Sequence, residues 1–204
     1  MITIKKNKTF SDLKDGERQA RREIIIEAAE RVFAVKPFNK ISLREIAREA
    51  GITHVSIYRY FPDQMTLFVE AFLKGAQEII PLVSDVIRES RNGDIEKVAE
   101  VYVSYLMEHD QYFRMMTHFM LDGTLSPELI ERLNVTERQM FDELDVLFRK
   151  MKAPEPVRPR SHAFYSALNG VLISFRNYPG RTKEDVQQHI KKIAKIVARN
   201  FFPK

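Results

Sequence analysis

The chain has 204 residues, and its 33 Lys and Arg outnumber its 28 Asp and Glu, which gives a formal net charge of +5. With 44% hydrophobic and 30% charged residues it can bury a core, so an intrinsically disordered chain is excluded. The lack of cysteine excludes disulfide scaffolds, thiolate zinc sites and cysteine nucleophiles. No apolar run approaches the roughly 18 residues of a membrane span, so we expect a cytoplasmic protein without a membrane partner.

The positive charge is confined to one end of the chain. The first 60 residues contain 13 basic and 8 acidic residues, and the rest of the chain contains 20 of each. A basic segment attached to a neutral body is typical of a polyanion-binding domain joined to a module with another task. We therefore predict that the N-terminal part binds nucleic acid.

Apolar residues recur at helical spacing along the chain and glycine is rare, which predicts an all-α fold of about nine helices. We expect a flexible basic arm over residues 1–16, a helix-turn-helix domain over 17–62 and a ligand-binding and dimerisation domain over 63–204. The first domain should hold helices at 17–35, 43–50 and 53–60.

A long fourth helix should begin near residue 63 and connect the two domains. Pro81 is expected to kink or divide it, because proline cannot donate a helical hydrogen bond. A proline-rich linker is predicted at 153–159. The remaining helices are predicted at 95–107, 112–121, 128–150, 160–178 and 182–201.

Residues 42–61 carry the pattern of a helix-turn-helix. Ser42 stands three residues before Glu45, as in a capping box, and Thr53 can cap a second short helix. Ala47 is the small residue that two crossing helices need, and Gly51 suits the turn between them. The apolar residues that should hold the second helix against the first are Ile46, Ile52, Ile57 and Phe61.

This arrangement leaves polar residues exposed on the second helix, where a recognition helix meets base edges and phosphates. An ordinary helical hairpin is the alternative, because capping boxes and small residues at this spacing occur widely. The basic surroundings and the two tyrosines near the helix end favour DNA binding. The exposed residues are Thr53, His54, Ser56, Tyr58 and Arg59.

The same segment resembles the N-terminal domain of the tetracycline-repressor (TetR) family. The resemblance rests on IEAAERVF at 26–33, ISLREIA at 41–47, AGI at 50–52, IYRYF at 57–61 and Leu67. It implies a homodimeric transcription regulator, usually a repressor, that binds a palindromic double-stranded DNA operator. It also implies a C-terminal helical bundle that binds a small-molecule effector.

Carried over by position, the resemblance implies that residues of both short helices contact DNA. Val55 stands where the family often has glycine, and it could either meet a thymine methyl group or pack against the first helix. Gln64 replaces a common phosphate-binding lysine, so the salt dependence should fall by about one counterion per subunit. The implied DNA-binding residues are Ser42, Arg44, Thr53, His54, Val55, Ser56, Tyr58, Arg59 and Gln64.

Two helices near the C-terminus have faces suited to helix packing. Small residues recur along 160–178, and an apolar stripe runs along 182–201. Their spacing leaves open whether they pack within one subunit or between two, and the resemblance favours dimerisation. The predicted dimer-interface residues are Ala163, Ala167, Gly170, Ser174, Ile190, Ile193 and Val197.

The body has more aromatic and thioether surface than a minimal bundle needs, so it can hold either a plain core or a ligand box. His162, Asn169 and Arg176 recur every seven residues and could line a pocket or fix the dimer register. Arg114 is expected on a solvated face in an ion pair with Asp110. The predicted ligand-binding residues are Tyr102, Tyr105, Met116, Phe119, Phe141, Phe164, Asn169, Phe175 and Arg176.

No pattern in the sequence supports catalysis. The five histidines form no recognised metal-ligand frame with a carboxylate, and there is no glycine-rich phosphate loop and no G-x-S-x-G motif. We therefore predict no enzyme, no cofactor and no metal site.

The expected function is a repressor released from its operator by a hydrophobic or amphipathic ligand. The alternative is a DNA-binding adaptor whose helical body binds a protein partner.

Overall fold

The structure is a computed structural model, and it describes residues 10–36, 38–121 and 125–201. Within these residues every regular element is helical, which confirms the predicted all-α fold. A 3₁₀ turn spans Phe38–Lys40. The helices are α1 (Phe10–Val35), α2 (Leu43–Glu49), α3 (His54–Ile57), α4 (Gln64–Glu89), α5 (Ile95–Glu108), α6 (Asp110–Leu121), α7 (Pro127–Lys150), α8 (Arg158–Phe175) and α9 (Lys183–Arg199).

The first helix begins earlier than the sequence predicts. Residues 10–16, assigned to a flexible arm, are the first turns of α1, whereas residues 1–9 of that arm lie outside the described residues. Intrinsic propensity favours a loop here, because only Leu13 and Lys14 in this stretch are good helix formers, whereas Ser, Asp and Gly are poor ones. Glu17 and Arg21 form an ion pair one turn apart, which supports the helix.

The chain divides into two compact units, residues 1–71 and 72–204, so the division falls inside α4 and not at the predicted boundary of 62 and 63. The reason is that the first turns of α4 complete the core of the first unit. Leu67 and Phe68 are buried, and the Phe68 ring lies 4.7 Å from Phe33 and 4.2 Å from Phe38, centroid to centroid. A boundary before α4 would separate Phe68 from Phe33 and Phe38, the two rings against which it packs.

Arg22 of α1 fastens the end of the helix-turn-helix in the first unit. Its guanidinium donates to the Tyr60 carbonyl at 2.7 Å and to the Glu70 carboxylate at 3.0 Å. It also lies 4.5 Å from the centroid of the Phe61 ring. Because this side chain is half-buried, these charge-assisted bonds hold the segment after α3 against α1 and α4.

Pro81 does not divide α4, which continues to Glu89. Proline lacks an N–H group, so the carbonyl of Gln77 loses its usual helical partner at this point. The helix continues because its buried face extends on both sides of the proline, through Ile79, Val83 and Ile87. Tertiary burial of an apolar face therefore outweighs the missing hydrogen bond.

In the second unit α9 packs against α5 and α8, and α7 packs against α8. A buried polar group joins α7 to α8: Ser161 donates to Asp145 at 2.6 Å, and Arg158 reaches the other oxygen of that carboxylate at 2.9 Å. Across the described ranges, no helix is long and apolar enough to cross a membrane.

Candidate nucleic-acid interface and ligand cavity

Local capping shapes the helix-turn-helix. The hydroxyl of Ser42 accepts from the N–H of Glu45 at 3.3 Å and starts α2, and the hydroxyl of Thr53 accepts from the N–H of Ser56 at 3.1 Å and starts α3. Between the helices, Gly51 has φ +70°, a conformation that glycine adopts without steric cost. The predicted caps and turn are therefore present.

The second short helix ends sooner than predicted. Only His54–Ile57 is α-helical. The chain then continues as a turn, in which the backbone N–H of Arg59 donates to the Ser56 carbonyl at 3.2 Å and that of Tyr60 to the Ile57 carbonyl at 3.0 Å. The apolar lock is as predicted, with Ile46, Ile57 and Phe61 buried, and Ile52 half-buried. The polar side chains of the segment are thereby directed away from the core.

The exposure of Val55 decides between its two predicted roles, contact with DNA and packing against the first helix of the pair. This side chain is 74% exposed, so it does not pack against α2 and is available to contact DNA. Tyr58 is also exposed, and its ring meets the edge of His54 at a centroid distance of 5.2 Å. The Tyr58 hydroxyl lies 3.4 Å from Nε2 of His54, so the two side chains orient each other.

Ser42, Arg44, Thr53 and Arg59 are all exposed, as a DNA-contacting role requires, whereas Gln64 is half-buried. The Gln64 amide donates to the Phe38 carbonyl at 3.3 Å, within the first unit. A phosphate at this position would have to compete for that amide. A contact between Gln64 and DNA therefore stays a prediction.

A basic cleft that the sequence analysis did not predict lies beside the residues that follow α3. Lys14, Arg18 and Arg21 of α1 line it together with Arg59, Tyr60 and one acidic residue, Glu17, which pairs with Arg21. The three basic α1 residues are spaced four and three apart, which places them on one helical face. This spacing would have indicated the cleft, had residues 10–16 been predicted as helix.

The second unit contains an apolar cavity of about 260 Å³. Of the predicted ligand-binding residues, Tyr102, Met116 and Phe119 line its wall. The sequence prediction missed Tyr112 and Tyr165, which also line it. Residues from α4, α5, α6, α7 and α8 thus meet around one space.

Asn169 lies behind this wall. It is buried, and its side-chain oxygen accepts a 2.9 Å hydrogen bond from the Tyr102 hydroxyl. Its Nδ2 is a buried donor with no partner among the described residues. Burial raises the pKa of Tyr102 well above its ordinary range, so the hydroxyl stays neutral and keeps this bond at physiological pH.

The structure corrects the prediction for the other ligand-binding residues. Tyr105 donates to the Gly75 carbonyl and to Glu78, Phe141 packs against His162 and Tyr165, and Phe175 packs against His189. Phe164 is fully buried in the core. None of these four residues lines the cavity, because each packs in another gap between helices, which residue type alone does not reveal.

Arg176 lines a second, more polar cavity of about 510 Å³. It pairs there with Asp110 and lies 4.4 Å from the Phe113 ring centroid, and burial lowers its pKa. The three residues that recur every seven positions therefore have different surroundings. His162 is exposed, Asn169 is buried behind the first cavity and Arg176 lines the second.

The Asp110 carboxylate also has the predicted partner one turn away. The Nε atom of Arg114 lies 3.4 Å from Oδ2 of Asp110, which confirms that ion pair. Within the described ranges, no group of three or more His, Asp or Glu residues could hold a metal ion.

The predicted dimer residues divide by exposure. Ile190 is fully buried against the body of its own protomer, so it cannot lie on the protomer surface as predicted. Ala163, Gly170 and Ser174 are exposed, and Ala167, Ile193 and Val197 are half-exposed. Two large apolar residues that the prediction missed accompany them, with Ile173 59% and Ile196 50% exposed.

A capped pair of short helices with an exposed polar outer face and basic surroundings defines a helix-turn-helix DNA-binding protein. Residues 25–71 match the family model of bacterial regulatory proteins of the tetR family. The helix-turn-helix unit therefore has the sequence pattern of a TetR-type DNA-binding domain.

Known proteins agree with this assignment. The nucleoid occlusion factor SlmA of Marinomonas sp. (strain MWYL1) is 22% identical over 139 residues, covering 67% of this chain and 68% of that protein. A TetR-family regulator from Mesorhizobium loti MAFF303099 has a similar fold, with a TM-score of 0.69, 19% identity and coverage of 90% and 97%. A transcriptional regulator from Saccharomonospora viridis in complex with choline has a TM-score of 0.68, 14% identity and coverage of 86% and 95%.

Proposed function

We propose that this protein is a homodimeric TetR-family repressor of transcription acting in the cytoplasm, and that a small apolar or amphipathic ligand releases it from a palindromic operator. The observation that carries the proposal is the apolar cavity of about 260 Å³ in the second unit. Phe72, Ala76 and Ile80 of α4 line this cavity. The solved regulator from Saccharomonospora viridis is in complex with choline, which supports a ligand-binding role for this fold.

Helix α4 supplies the connection that such a mechanism needs. Leu67 and Phe68, at its start, belong to the core of the helix-turn-helix unit, whereas Ala76 and Ile80 line the cavity. A ligand that displaces α4 would alter the separation of the two recognition helices, which must be ~34–36 Å to enter successive major grooves. The coupling is reciprocal, so operator DNA should weaken ligand binding equally.

The exposed face of α8 and α9 is the proposed dimer contact. Ile173 and Ile196 expose apolar surface there, and Gly170 offers close approach because a Cβ at that position would meet nothing within 4 Å in the protomer. Burial of such a face against a second copy would remove its apolar area from water.

Filling the cavity should produce a repressor that no longer responds to ligand. Thr136 is half-buried and lines the cavity, so Thr136→Phe places a ring in the ligand's volume. We expect unchanged DNA affinity, and at least a tenfold increase in the ligand concentration that releases DNA. Fluorescence anisotropy of labelled DNA, with ligands first found by thermal shift, measures both quantities.

Val135→Phe is the matched control, because it adds the same ring on an exposed neighbour that does not line the cavity. It should respond to ligand as the unchanged protein does. Release of DNA from the Thr136→Phe protein at ordinary ligand concentrations would contradict a role for this cavity.

The similarity to a nucleoid occlusion factor favours a second candidate function. In that case the protein is a DNA-binding adaptor, and its helical body binds a protein partner. A broad ligand screen in which no compound raises Tm or changes DNA affinity would favour the adaptor. Any compound that does both favours the ligand-responsive repressor.

A further inference from the structure

The described wall of the cavity that the proposed function assigns to a ligand carries a negative charge and no positive charge. Among the described residues that line it, Glu137 is the only one with a full charge, and none is Lys, Arg or His. Glu137 is exposed, so its carboxylate stands where the cavity meets solvent. An anionic ligand entering here would lose water without gaining a cationic partner, which is costly.

Five of the other fifteen described residues that line the cavity are aromatic, and most of the rest are aliphatic or methionine. Phe72 stacks on Tyr112 at 4.8 Å and meets Phe119 edge-on at 5.3 Å, and the rings of Tyr102 and Tyr165 lie 5.7 Å apart. The face of each ring carries the negative part of its quadrupole, and such faces attract organic cations within about 6 Å. Desolvation inside a cavity strengthens this attraction.

Two of the three tyrosines in the wall, Tyr102 and Tyr165, use their hydroxyl hydrogens within the protein. Tyr102 donates to Asn169, and Tyr165 donates to Sδ of Met116 at 3.5 Å, so both hydrogens are engaged within the protein. Burial raises the pKa of Tyr165, and the negative charge of Glu137 adds to the rise. The negative charge of Glu137 therefore acts on Tyr165, which also lines the cavity.

We propose that the effector is a small organic monocation, a tertiary or quaternary amine with an apolar substituent, held by the aromatic wall and balanced by Glu137. This inference rests on the proposed function, because it assumes that the cavity receives the effector. The volume of about 260 Å³ lies just below the ~300–1,000 Å³ of typical ligand pockets, so the cation must be small.

Three probes of similar size separate charge from apolar burial: hexyltrimethylammonium, 1-nonanol and octanoate. Isothermal titration calorimetry on the full chain measures the Kd of each. We expect the cation to bind at least about tenfold more tightly than the alcohol, and octanoate to bind most weakly. Tighter or equal binding of 1-nonanol or octanoate overturns the cation proposal and leaves the proposed ligand-responsive function standing.

Glu137→Gln keeps the shape of the side chain and removes its charge. It should weaken the cation about tenfold and leave the alcohol unchanged, and Glu137→Lys should move the preference toward octanoate. Glu131→Gln is the control, because Glu131 is an exposed acid of the same helix that pairs with Arg138 and does not line the cavity. An unchanged Kd for the cation in Glu137→Gln overturns the assignment.

If none of the three probes binds, the cation proposal fails. The DNA-release screen with the Thr136→Phe variant then decides separately whether the cavity serves any other ligand. The two failures are distinguishable, because the calorimetry reports on ligand class and the screen reports on ligand response.

Discussion

Replacing Arg44 or Tyr58 with Ala is expected to weaken operator binding by about 30- to 1,000-fold while leaving Tm unchanged. Each side chain is exposed at the helix-turn-helix, and the loss of one such contact costs ~1–2 kcal/mol. The homodimer carries two copies, which doubles the cost, and each 1.4 kcal/mol is a factor of ten. Fluorescence anisotropy at fixed salt concentration measures the change, and circular dichroism measures Tm.

The control for this prediction is Arg88→Ala. Arg88 is an exposed arginine of the second unit, paired with Asp85, so its replacement removes the same charge far along the sequence from the helix-turn-helix. Its effect on operator binding should be less than about threefold. Equal losses in the Arg44 and Arg88 variants would mean that net charge, and not the helix-turn-helix, governs binding.

Asp145→Ala should lower the free energy of unfolding by about 3 kcal/mol and Tm by about 6–12 °C. The carboxylate is buried, accepts from the Ser161 hydroxyl and pairs with Arg158. Its removal leaves a buried hydroxyl without its acceptor and Arg158 without one of its two carboxylate partners, at the junction of α7 and α8. Denaturant unfolding followed by circular dichroism measures the loss.

Asp142→Ala provides the comparison, because Asp142 also pairs with Arg158 but its side chain is 67% exposed. Exposed ion pairs contribute ~0–1 kcal/mol, so this variant should unfold close to the unchanged protein. A loss below about 1 kcal/mol in Asp145→Ala would show that burial of this group contributes little to stability.

Local signals in the sequence were sufficient for the helix-turn-helix. Ser42 and Thr53 cap their helices through bonds within three residues, and the positive φ of Gly51 is a property of one residue. Such features depend on neighbours in the chain, so the sequence reveals them directly. The extent of α1 was harder to predict, because residues 10–16 are rich in Ser, Asp and Gly, which are poor helix formers.

The cavity and the dimer face depend on contacts between distant helices. Phe119 and Phe164 are both aromatic residues of apolar helices, yet the first lines the cavity and the second fills the core. Ile190 and Ile193 belong to one predicted stripe, but only Ile190 is fully buried, because α5 and α8 cover one edge of α9. Spacing predicts that a helix has an apolar face and does not identify its partner.

Selection of binding sites from a random pool of DNA duplexes by the purified full-length protein tests the central claim most directly. A homodimer with the recognition segment at residues 53–60 should enrich a palindrome with half-sites one helical turn or a multiple apart. The Arg44→Ala protein should fail to enrich that sequence at the same salt concentration. Enrichment of no common sequence by the unchanged protein, or of the same palindrome by the Arg44→Ala protein with equal affinity, would contradict the account.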